Sequence, residues 1–268
     1  MDNSKLPFSL FDFFALIFPG AFGLLGVYLI FMPDISKFQP EWLNLTSAVV
    51  FTIASYILGH ALHAASEIMI ERVLNLFFGS LVGEYLRRVG LAIYNPARDW
   101  RKFFREIVGL VFINWDPDSK FKWNTQPEKP ERIDETIDQN AGRLLYACLK
   151  NEFQPLPHKI DLIFNLVLAY SQKNTKGETN EVPVFAAVET MFRSLALATV
   201  LILAGLWSVV RTQSGSIIPV EVIYIPFFLI PLFLYSYRRY KHMWVETIFS
   251  QFIVASSERS LHAKKPGK

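Results

Sequence analysis

"FFALIFPGAFGLLGVYLIFM", Phe13 to Met32, runs for twenty residues without a charge. At about 1.5 Å of rise per residue, a helix of that length covers a hydrocarbon layer of roughly 30 Å. The stretch predicts a membrane-spanning helix and sets how the rest of the chain is read. Before it stand Lys5, Asp2 and Asp12, and no small-x-small cleavage pattern follows, so it does not read as a secretory signal. It is expected to be retained.

Three further apolar runs lie downstream. Residues 43–63, "LNLTSAVVFTIASYILGHALH", are long enough to span but more polar. Residues 193–210 centre on Leu195–Val210, with Met191 and Phe192 extending the run past Arg193, which is expected to snorkel toward water. Residues 217–237 contain Pro219, Pro226 and Pro231, which predict a kinked helix whose freed carbonyls are satisfied by neighbours. A mean hydropathy of +0.26 is modest because these runs are averaged with a polar middle. Aromatic residues make up 15%, which suits rings placed at a lipid interface. The single Cys148 excludes an intrachain disulfide and fits a reducing compartment. A net charge of +3 is too small to imply nucleic acid.

Lysine and arginine set the direction. Loop 33–42 holds Lys37 alone and loop 211–216 holds Arg211 alone, whereas 64–194 holds seventeen and the segment after 237 holds seven. Arg72, Arg193 and "RRYK" (Arg238–Lys241) lie close to span ends, where the bias counts most. Positive charge favours the cytoplasm, so both termini and the middle region are expected inside. The expected fold is all-α: a polytopic membrane protein of four transmembrane helices, with a cytoplasmic helical bundle inserted between spans 2 and 3. Its parts are a transmembrane hairpin over 1–66, a cytoplasmic domain over 67–192, a second hairpin over 193–238 and a basic cytoplasmic tail over 239–268.

Within the middle region, Pro96–Phe112 predicts an amphipathic helix. Trp100, Phe103, Phe104, Ile107, Val108 and Val111 share one face, and Arg98, Arg101, Lys102 and Arg105 share the other. That basic face suits either solvent, a protein partner or the anionic inner leaflet; no nucleic-acid motif accompanies it. Asn114–Glu131 reads as a loop, Glu131–Glu152 and His158–Lys173 as helices, and Asn174–Glu181 as a polar link. Pro183–Ser194 is expected to run straight into the third span.

The second span ends in "YILGHALHAASEIMIERV", Tyr56–Val73. On a regular helix His60, His63, Glu67 and Glu71 fall within roughly 80° of one another, one polar stripe where the helix leaves the bilayer. Imidazole and carboxylate at helical spacing are the raw material of a proton relay or part of a metal site. The plainer reading, which the weak specificity of the motif favours, is the polar hem of a span. Any metal needs further ligands from Asp12, Glu84, His158, His242 or Glu246, and no spacing requires it. Gly20, Gly23, Gly26 and Gly59 form small-residue faces that let helix backbones approach closely, within the chain or between copies.

No GxSxG, HExxH, GxxxxGK[ST], CxxC or GxGxxG pattern occurs, so no catalytic residue is named and no cofactor is expected. "FPGAFGLLGVYLIF", "YILGHALH" and "ETMFRSLALA" together resemble a loose group of uncharacterised bacterial inner-membrane proteins. These have two helical hairpins around a cytoplasmic helical domain, and some accompany phage-defence operons. The resemblance implies a bacterial origin and a membrane effector role. The function expected is an oligomeric inner-membrane protein whose cytoplasmic domain senses an internal signal or protein partner and alters permeability or recruits an effector. The alternative is an ion- or proton-conducting or metal-dependent membrane protein centred on His60, His63 and Glu67.

Overall fold

Apolar length becomes helix at each of the four predicted spans. A computed structural model describes residues 12–32, 45–78, 80–93, 122–123, 138–156, 160–174, 182–212, 219 and 221–263. Helix α1 (Phe18–Phe31) is preceded by a wider π-helical turn, Phe13–Ile17. α2 (Leu45–Ser66) passes into a second π-turn, Glu67–Glu71, and then α3 (Arg72–Phe78). α4 (Leu81–Arg88), α5 (Asp138–Glu152) and α6 (Ile160–Asn174) follow, then the long helices α7 (Val182–Thr212) and α8 (Glu221–Ala263). Among the described residues, extended structure is confined to a two-residue antiparallel pair, Ala92–Ile93 with Lys122–Trp123. Four helical stretches are long and apolar enough to cross a membrane: Phe13–Phe31, Leu45–Asn75, Val182–Thr212 and Glu221–Arg259. Apart from that short pair the described residues are helical, and the four stretches give the chain the build of an integral membrane protein.

The chain divides into two units: residues 1–72 with 183–241, and residues 73–182 with 242–268. In the first, glycine permits the closest helix contacts. A methyl group at Gly20 would overlap the Ser55 carbonyl oxygen, and one at Gly59 would overlap the Leu16 carbonyl oxygen. Gly26 lies against the backbone of Leu201 and Ile202 in the same way, and Gly205 against Leu29. Gly23 packs on the side chains of Leu58 and Leu62. The structure thus uses all four expected small residues for packing inside the chain. Large apolar side chains face outward instead, among them Val50, Phe51 and Ile57 on α2 and Phe227, Phe228 and Leu232 on α8. Only 11% of the most apolar stretch of α8 is buried within the molecule, against 39% for α7. Such a surface is costly in water and natural in lipid.

The second unit holds capped helices around an apolar core. Ser80 caps α4 by accepting from the Gly83 N–H at 3.5 Å, Glu84 occupies its first turn, and Arg87 and Arg88 its last. Gly90, at φ 78°, ends it with a left-handed residue, and the Leu91 N–H reaches back to the Leu86 carbonyl at 2.8 Å. Leu86, Leu145, Leu149, Ile163, Val167, Ile248, Phe249 and Phe252 form the core. The Tyr85 and Phe249 rings stack at 4.9 Å, and those of Phe153 and Phe252 at 5.7 Å. Glu152 clasps three helices: it accepts from the Tyr170 hydroxyl at 3.0 Å and the Ser256 hydroxyl at 3.3 Å, and pairs with Arg259 at 3.2 Å. Burial holds the Tyr170 phenol above its ordinary pKa, so it remains the donor. Cys148 is buried in this core.

One boundary differs from the reading of the sequence. The segment 239–268, expected as a separate basic tail, continues α8 to Ala263. Its Val245, Ile248, Phe249 and Phe252 are buried in the core of the second unit. Their spacing of three, one and three residues places them on one helical face. Burial of that face, not the charge of the flanking lysines, decides the structure. Pro226 and Pro231 lie inside α8, which runs through both.

Candidate functional site

At the ends of three spans, charge is buried in the first unit. Arg193, expected to snorkel, is only 4% exposed. Its Nη1 donates to Glu71 Oε2 at 2.7 Å and lies 3.4 Å from Glu189 Oε1. Its Nη2 donates to His63 Nδ1 at 3.1 Å, and its guanidinium stands 6.0 Å from the Tyr237 ring centroid. The second oxygen of Glu71 pairs with the Lys241 ammonium. Lys241 also donates to the Tyr237 hydroxyl at 3.1 Å, with its ammonium 5.4 Å from that ring's centroid. Glu71 is thus the bridge between two cations on two other helices.

Backbone geometry explains why these residues meet. At about 1.5 Å per residue, His63 lies ~27 Å from Leu45, Arg193 ~28 Å from Thr212 and Lys241 ~30 Å from Glu221. Each of these three residues therefore stands at the far end of an apolar length equal to the hydrocarbon thickness. There an arginine can leave the lipid by pairing instead of reaching for water. Two acidic side chains, Glu71 and Glu189, face two cations, Arg193 and Lys241, and pairing of this kind lets charge stay buried. Arginine has no acceptor, so His63 Nδ1 must accept. His63 is accordingly neutral in this arrangement, with its proton on Nε2.

The predicted stripe of four is split. His60 is exposed and meets Tyr56 edge-on, ring centroids 4.6 Å apart. Glu67 is exposed as well. His63 and Glu71 turn inward to Arg193. The π-turn at Glu67–Glu71 sets the direction of Glu71 alone. A π-turn is one residue inserted into an α-helix, so downstream side chains fall back by about 100°. On a straight helix Glu71 would stand about 80° from His63, beside His60 and Glu67; with the surplus residue it stands about 20° from His63. Periodicity at a constant 100° cannot foresee that.

Sequence reading also missed Glu189, Tyr237 and Lys241. The spacing of Glu189 and Arg193, four apart in "ETMFRSLALA", was the available signal: opposite charges one turn apart beside an apolar run. Lys241 reads as one of several basic residues after a span, and nothing local marks it as paired.

The other residues considered as ligands lie elsewhere or outside the described residues. In the second unit Arg88 donates to Glu246 and lies 3.4 Å from His242 Nε2, an exposed group. His158 and the basic face of Arg98, Arg101, Lys102 and Arg105 fall outside the described residues. Among the described residues, no three His, Cys, Asp or Glu side chains converge as a metal-ligand set. The geometry of the site is that of a charge-balanced lock between helices.

No protein-family model matches the chain, and neither a curated protein nor a solved structure does so.

Proposed function

We propose that this protein is a multi-pass protein of a bacterial inner membrane, with both termini and the second helical unit in the cytoplasm. It assembles with further copies of itself and converts an internal signal, or the binding of a cytoplasmic protein, into altered permeability or recruitment of an effector. Direction rests on the Lys and Arg bias at the span ends. The phage-defence setting rests on the resemblance of the span motifs.

The observation that carries the reading is the double membership of α8. Tyr237 and Lys241 belong to the ionic cluster of the spans, and Val245, Ile248, Phe249 and Phe252 on the same helix belong to the core of the second unit. Lys241 and Val245 are one helical turn apart. A ligand that reorganises that core acts on a helix that also carries part of the lock.

Three measurements test this. A tag inserted at residue 120 is expected to be shielded from impermeant reagents in intact cells; labelling there would overturn the topology. The particle solubilised in detergent is expected to have the mass of several chains, and a monomer would remove the assembly. Vesicles containing the protein are expected to release a trapped dye, and a Gly-Gly insertion after His242 to abolish release while both units stay folded.

The second reading, a proton or ion pathway, is favoured by the place of His63 within the cluster. His60 and Glu67, on the same helix, are exposed. Proton flux into vesicles that disappears in His63→Ala, with the fold retained, would select it.

A further inference from the structure

The π-turn at Glu67–Glu71 does more than explain the position of one carboxylate. Were the surplus residue to sit one turn further along, only the residues between its two positions would be rotated. Here those would be the residues from Glu67 to Glu71. Ile68 and Met69 are 51% and 56% exposed and oppose no such rotation, while Ile70, within the turn, is half-buried.

We infer that this π-turn is a register switch that connects Glu71 to, or withdraws it from, the Arg193–Lys241 pair. With the surplus residue at 67–71, Glu71 stands on the face of His63 and bridges both cations. With the surplus residue moved into α3, Glu71 turns by about 100° onto the exposed face of His60 and Glu67, and Ile70 takes its place. The cluster is then left with two cations and one carboxylate, Glu189. That imbalance holds the switch in the connected state at rest. Anything that supplies a competing anion to Arg193 and Lys241, or draws α3 along its axis, favours the withdrawn state. The groups facing Glu71 from other helices are Arg193 and Glu189 on α7 and Lys241 and Tyr237 on α8. The inference stands apart from the proposed function, since it concerns only one turn and its partners.

The test compares the full-length protein in lipid nanodiscs with three variants, by amide hydrogen exchange over residues 63–75. Deleting Met69 removes the surplus residue and leaves Glu71 seven residues after His63, on the same face of a straight helix. This variant is expected to fold, and exchange in the segment is expected to slow about tenfold because the turn can no longer move. Glu71→Gln keeps the surplus residue and removes its ionic hold, and exchange is expected to quicken about tenfold. Deleting Ile57, within regular α2, rotates the following residues by about 100° and is expected to abolish the folded protein. Unchanged exchange in the Met69 deletion would overturn the inference. So would failure of that variant to fold, because the residue would then not be surplus, or tolerance of the Ile57 deletion.

Discussion

Arginine meets glutamate in both units, and the two meetings differ in everything around them. Arg193 and Glu71 have side chains 5% and 23% exposed, joined by Lys241, Glu189 and His63. Arg88 and Glu246 are 42% and 37% exposed, with His242 beside them. Water can replace either partner in the second pair almost without loss. It cannot do so in the first, where removing one charge strands others in a place built to exclude solvent. The same two residue types thus act as a lock in one unit and as surface decoration in the other.

The widest separation is expected from alanine at the two arginines. Arg193→Ala leaves Glu71 and Glu189 facing Lys241 alone and is expected to cost about 3–5 kcal/mol. The check is the midpoint of unfolding in detergent, followed by circular dichroism. Next comes Phe249→Ala, which opens a hole between Tyr85 and Phe164 in the second unit. A loss of about 3 kcal/mol is expected there, read by protease resistance of that unit. A smaller effect, about 1–3 kcal/mol, is expected from Gly20→Ala, because the Ser55 backbone must retreat. Its check is the heat-induced loss of the solubilised protein from solution. Arg88→Ala closes the series with less than about 1 kcal/mol, a value that high salt should shrink further. Equal losses for the two arginines would break the contrast between the units. A larger loss for Gly20→Ala than for Arg193→Ala would move the weight of the first unit from its charges to its packing.

How much of this was legible in the sequence follows from the range of the forces involved. The spans were readable because each needs only a long apolar run with at most one charge, a local property of Phe13–Met32 and its three counterparts. The helices at Asp138–Glu152 and Ile160–Asn174 were readable from their apolar spacing. The fate of the last segment was not, because the basic cluster at Arg238–Lys241 directly precedes the apolar face beginning at Val245, and that face is buried by residues distant in sequence. The cluster around Arg193 was legible in part. His63 and Glu71 could be named from one helix, but Glu189 and Lys241 join them through contacts between residues more than a hundred positions apart. The π-turn was out of reach, since nothing in "EIMIE" differs from ordinary helical sequence.

The burial of Cys148 has a practical consequence. It is the chain's sole thiol, and it sits among Leu145, Leu149 and Ile163, away from solvent. Maleimides should therefore find almost nothing to modify while the helical unit is intact. Reporter cysteines placed at Lys120, His60 or Phe228 can be read against a quiet background in the otherwise native chain. The slow modification of Cys148 itself then serves as a clock for how often that unit breathes.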